Sequence, residues 1–123
     1  MPVGMESVSE GIRICTEIYH VLKTILKENN LSTGIGDEGG FAPDLAETRN
    51  VFELLKEAVI KAGYNPGTEI VFAMDAAASE LYDQEKGVYF FPGESKMKGK
   101  QVYRDSKEMI DYYEKHTTYL DKK

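Results

Sequence analysis

The segment that most constrains this chain is Glu69-Ile70-Val71-Phe72-Ala73-Met74-Asp75. An unbroken apolar run has no polar face to turn toward water, so it does not read as a surface strand. It reads as a buried parallel strand whose acidic end, Asp75, emerges into a loop. Parallel strands are joined by crossovers that are usually helical, so helices are expected on its flanks.

Helical patterns occur on both sides. Ser7 to Asn30 reads as a helix, with Ser7 and Glu10 spaced as a capping box. Ile14, Ile18, Leu22 and Ile25 form one apolar stripe, and Asn29-Asn30 is a stop. Gly11 lies inside this pattern and costs up to about 1 kcal/mol relative to Ala. Thr48 to Ala62 reads as a second helix, with Thr48 as its cap and Val51, Leu55, Ala58 and Ala62 as its inner stripe. Gly63 suits a left-handed residue after its end, and Asn65-Pro66-Gly67 reads as a turn. Further on, Gly87 to Phe91 suits a short strand and Pro92 to Gln101 reads as loop. Asp105 with Glu108 can cap a last helix running to Lys115. The order predicts alternating α/β architecture in one domain. With 123 residues the chain has too few strands to close a barrel, which takes about 250.

Charge narrows the function classes. The formal net charge is -6, from 21 acidic and 15 basic side chains. Such a surface does not suit general nucleic-acid binding, and it leaves room for a local cation site. A lone cysteine, Cys15, makes an internal disulfide impossible and fits a reducing compartment. Beside its apolar stripe, a small buried thiol is the expectation. Met1 to Glu6 lacks the pattern of a signal peptide, and no apolar stretch nears the ~20 residues that span a bilayer. The expectation is a soluble, cytoplasmic chain.

The densest chemical signal is Gly34-Ile35-Gly36-Asp37-Glu38-Gly39-Gly40-Phe41-Ala42-Pro43. Gly34, Gly36 and Gly39 formally match a dinucleotide fingerprint. Two carboxylates inside the loop would repel a pyrophosphate, and Phe41-Ala42-Pro43 follows where a helix should start. The better reading is a sharply bent backbone that presents Asp37 and Glu38 as acids, bases or metal ligands. Spacing alone leaves open a surface turn with solvated acids. Asp75, at the carboxyl end of the expected strand, suits a hard cation, or equally a cap on the turn formed by Ala76, Ala77 and Ala78. His20 reads as a partly exposed helical residue, His116 as solvated, and the tyrosines as packing groups.

At this point a family resemblance adds to the residues. Gly36-Asp37-Glu38-Gly39-Gly40-Phe41-Ala42-Pro43 resembles the enolase signature around a catalytic glutamate. Met74-Asp75, Ala77-Ala78-Ser79-Glu80 and Tyr82 resemble the segment carrying that family's first magnesium-binding aspartate. Pro2-Val3-Gly4 and Lys61-Ala62-Gly63-Tyr64 also fit, so the resemblance runs from Met1 to Lys115.

The resemblance implies a partial TIM-type (β/α) barrel over residues 1–115 and a divergent polar tail over 116–123, where the next barrel strand is expected. A truncated or shifted reading frame would explain that break. It implies Mg2+ as cofactor and 2-phosphoglycerate and phosphoenolpyruvate as ligands of the full-length family, which is commonly dimeric. It places the general acid on Glu38, a metal ligand on Asp75, and loop-shaping roles on Asp37, Gly39 and Gly40. The lysine base and the other acidic ligands of the family have no counterpart in the matched motifs. This chain alone is therefore expected to be inactive, with a non-catalytic enolase-like interaction module as the alternative.

Overall fold

The computed structural model describes residues 1–120, with side chains through residue 117. Helix α1 spans Val8–Glu28 and helix α2 spans Thr48–Lys61. Their start and stop chemistry is local. Ser7 caps α1, its hydroxyl accepting the Glu10 N–H at 3.2 Å. Glu10 reaches back to the Glu6 N–H at 2.9 Å, one residue earlier than a capping box requires. Both helices close through a left-handed residue. After α2 it is Gly63 (φ 91°), with the Tyr64 N–H bonded back to the Val59 carbonyl. After α1 it is Asn30 (φ 55°), with the Leu31 N–H bonded to the Leu26 carbonyl.

The two helices pack on each other and on the segment that follows α2. Ile14, Val59 and Ile70 form the buried cluster, with Ile18, Tyr64 and Phe72 against it. Ile25 and Leu26 are each 1% exposed. The inner face of α2 keeps Ala58 of its sequence stripe, fully buried, and departs from the stripe at its start. Phe52 is buried and Val51 is 39% exposed. Cys15 is exposed rather than buried, because one residue past Ile14 is about 100° around the helix.

The expected buried parallel strand over Glu69–Asp75 does not form. This segment is held instead by isolated antiparallel pairing with the first residues, Pro2 lying opposite Ile70. The Val3 N–H donates to the Glu69 carbonyl at 2.8 Å and the Val71 N–H to the Met1 carbonyl at 2.9 Å. A doubly covered parallel strand needs neighbours on both edges and helices on both faces. Here the cover reaches only the first part of the run: Ile70 is buried and Val71 and Phe72 are half-buried, while Ala73 and Met74 are exposed.

The remaining elements form a second layer. Helix α3 (Ala78–Leu81) leads into β1 (Tyr82–Asp83), β2 (Val88–Phe90), helix α4 (Pro92–Lys98), β3 (Tyr103–Arg104) and helix α5 (Ser106–Leu120). The three strands make an antiparallel sheet in the order β1-β2-β3, with Tyr82 opposite Tyr89 and Phe90 opposite Tyr103. It is an open sheet, not a closed barrel.

Helix α4 replaces the loop expected over Pro92 to Gln101. Proline stands in its first turn and Gly99 (φ 63°) ends it in the left-handed region. The Ser95 hydroxyl donates to the Phe91 carbonyl and accepts from the Val102 N–H, tying α4 to the chain entering β3. Helix α5 begins with the expected capping box. Glu108 N–H donates to Asp105, and Asp105 N–H donates to Glu108, both at 2.8 Å. It then runs five residues past Lys115, to Leu120.

Candidate functional site

The acidic glycine segment folds as a tight hairpin. Ile35 pairs antiparallel with Phe41, and the Gly36 N–H donates to the Gly40 carbonyl at 2.9 Å. The Gly39 N–H donates to the Gly36 carbonyl at 2.9 Å, closing a four-residue turn. Asp37 and Glu38 are its two central residues. Both are exposed, and neither carboxylate has a hydrogen-bond or ion-pair partner among the described residues. Gly39 has φ 83°, a conformation in which a side chain would be strained. Gly40 carries no such demand, and space is open around it.

Asp75 sits elsewhere. It lies where the segment after α2 turns toward α3, and its Oδ1 accepts the Ala77 N–H at 3.0 Å. Ala77 is held at φ 41°, so the carboxylate supports a backbone turn that an L-residue adopts only at a cost. From α5, the Tyr113 hydroxyl donates to the Ala76 carbonyl at 3.5 Å.

This turn borders a cleft of about 400 Å³ between α2, α4 and α5. Asp44, Glu47, Asp75 and Glu94 give its walls an acidic character, and Val51 and Phe91 are among its apolar lining. Asp37 and Glu38 are not in those walls, so this cleft does not bring Glu38 to Asp75.

Three basic groups temper the acidity. Lys96 reaches from α4 to Asp44 at 2.7 Å, both exposed. Glu94, with a side chain 10% exposed, receives Arg104 through both carboxylate oxygens at 3.0 Å and Lys98 at 3.0 Å. Burial pushes the Glu94 carboxyl up, but the hydrogen bonds from Arg104 and then Lys98 outweigh it and hold it below its ordinary value. Burial pushes the Tyr112 phenol up, against the opposing hydrogen bond with Thr48.

The donor set does not by itself fit a Mg2+ site. A hard cation of this kind wants six oxygens in near-octahedral array. Asp75 offers one carboxylate, already engaged through Oδ1. Among the described residues no group of three His, Cys, Asp or Glu side chains could hold a metal. Sequence reading missed Glu94 as part of the wall of the cleft that Asp75 borders, because it took α4 for a loop.

The model of the family described as "Enolase, C-terminal TIM barrel domain" matches residues 1–120. An enolase of Corynebacterium kroppenstedtii is 53% identical over 92 residues, which cover 75% of this chain and 22% of that relative. The chain belongs to the enolase family. It spans about a fifth of the length of the curated relative that it matches.

Proposed function

We propose that this chain supplies part of the active-site framework of an enolase-type hydro-lyase, which dehydrates 2-phosphoglycerate to phosphoenolpyruvate in glycolysis. The observation that carries this reading is the Gly36–Gly39 turn, which presents Asp37 and Glu38 unpartnered at its tip in a chain of enolase family. Glu38 is the general acid that protonates the departing hydroxide, so that it leaves as water. Asp37 and the flexible Gly39 and Gly40 shape the loop around it. No residue of this chain is assigned to take the proton from the substrate carbon.

Mg2+ is the cofactor of the proposal, and Asp75 would contribute one oxygen of its coordination. The others have to come from residues outside the described set, so the isolated chain is proposed to be inactive. Cytoplasmic localisation and a homodimeric parent belong to the same reading. No described helix is long and apolar enough to cross a membrane. The second reading, a non-catalytic interaction module, is favoured by exposed apolar side chains on extended segments: Val3, Ile35 and Met74.

The test has two arms. The chain alone, given 2-phosphoglycerate and Mg2+, is expected to form no more phosphoenolpyruvate than its Glu38→Gln variant. Grafted in place of the matching segment of a full-length enolase, it is expected to support turnover. There Glu38→Gln should lower kcat by about a hundredfold or more while KM changes little. An unchanged kcat in the grafted variant would remove Glu38 from the chemistry.

A further inference from the structure

The Gly36–Gly40 hairpin has few means of holding its own shape. It is short, glycine-rich and exposed, and its internal bonds are those of one turn and one antiparallel bridge. A two-stranded hairpin of this kind is marginal in water unless something packs on it. One residue of α1 does. The Tyr19 ring stacks on the Phe41 ring, centroids 4.4 Å apart and planes 21° from parallel. Its hydroxyl donates to the Gly39 carbonyl at 3.4 Å. Phe41 is the residue paired with Ile35 at the base of the hairpin, and Gly39 closes the turn that carries both acids. Tyr19 therefore touches the hairpin at its base and beside its tip from a single, helix-anchored side chain. The neighbouring His20 ring meets Tyr19 edge-on, with centroids 6.0 Å apart.

We propose that Tyr19 is a positioning residue: it clamps the hairpin to α1, so that Asp37 and Glu38 are presented on a preformed turn. Helix α1 is the right anchor, since Ile25 and Leu26 fix it in the core. Most of the clamp is ring on ring; the long hydroxyl bond adds less. The purpose of the clamp rests on the role proposed for Glu38, but its existence does not.

Amide hydrogen exchange on the 123-residue chain separates the two. The amides of Gly36 and Ala42, bonded to Gly40 and Gly34 respectively, report the hairpin. Those of Ile25 and Val59 report the helical core. In Tyr19→Ala, exchange at Gly36 and Ala42 is expected to rise about three- to tenfold, with the core unchanged. Tyr19→Phe keeps the stack and should restore protection to within about twofold of the parent.

Unchanged hairpin exchange in Tyr19→Ala would overturn the clamp. If that variant loses protection everywhere, Tyr19→Leu decides. Selective loss at the hairpin supports the clamp, and uniform loss shows Tyr19 to be a packing residue only. None of these readouts needs turnover. A failed clamp thus leaves Glu38's chemistry standing, and an uncatalytic Glu38 leaves the clamp standing.

Discussion

The two layers of this molecule are held together by different physics. Between α1, α2 and the segment after α2, the buried centre is mainly aliphatic, with Tyr64 and Phe72 packed against it: Ile14, Ile25, Leu26, Val59 and Ile70 are buried. Between the small sheet, α4 and α5, the buried apolar residues among those described are Phe91 and Met109. The centre of that layer is Arg104. Its guanidinium lies 4.0 Å from the Phe91 ring and 4.3 Å from the Tyr112 ring, and it pairs with Glu94. Dry aliphatic packing is additive and non-directional, so it tolerates rearrangement but loses energy with every missing methylene. A stacked, ion-paired arginine depends on geometry and on the partner's charge.

The largest effect should come from the first layer. Leu26→Ala removes a fully buried side chain and is expected to cost about 2–5 kcal/mol, read as a lower denaturant midpoint. Because α5 also rests on α2, through Phe52 beside His116 and the Thr48–Tyr112 hydroxyl pair, the whole molecule should lose stability together. Hydrogen exchange that rises in α1 and α2 alone would show that the two layers unfold separately.

The next effect belongs to the second layer. Glu94→Gln keeps the shape but removes the charge facing Arg104 and Lys98, at an expected cost of about 2 kcal/mol. The loss should appear first as faster exchange in α4 and β3, with α1 protected. An equal loss in both layers would break the contrast drawn here. Arg104 sharpens it further, because its Nη1 is buried with no hydrogen-bond partner among the described residues. With Glu94 neutral, that cation is left to the faces of two rings.

The same contrast explains what the sequence made legible. Helices α1 and α2 follow from apolar periodicity, because dry packing leaves a periodic trace. The capping box at Asp105 and Glu108 is legible because it is local. Helix α4 carries little apolar periodicity, with Met97 its main apolar side chain. It is held by Arg104, a residue of another element. Its punctuation was present all the same: Pro92 at the start, Glu94 in the first turn, Lys96 and Lys98 in the last, Gly99 at the end.

The run Glu69–Asp75 was misjudged for the opposite reason. Composition reports how buried a strand is suited to be, but not whether its neighbours are present. In the candidate site, the bend at the glycines and the exposure of its two acids could be read from sequence. The clamp from Tyr19 could not, since it joins residues about twenty positions apart through ring geometry.

The smallest expected effect tests the seam between the layers. His116 is half-buried, its ring 4.4 Å from that of Tyr112 and 6.4 Å from that of Phe52 on α2. Burial pushes its pKa below the ordinary 6.5, and the charges of Lys115 and Arg104 push the same way, while Glu94 and Glu47 oppose them in part. The folded chain thus binds the proton less readily than the unfolded chain does. His116 therefore contributes stability that is complete above pH 6.5 and declines as the pH falls from there toward the depressed value. Glu94, held below its ordinary 4.5, loses its contribution only at more acid pH. Two windows in one titration are expected, the upper one at the seam and the lower one in the second layer. In His116→Gln the upper decline of the thermal midpoint should vanish while the lower remains. If the upper decline persists in that variant, the seam is indifferent to the charge on His116, and the docking of α5 on α2 rests on Phe52 and the Thr48–Tyr112 contact instead.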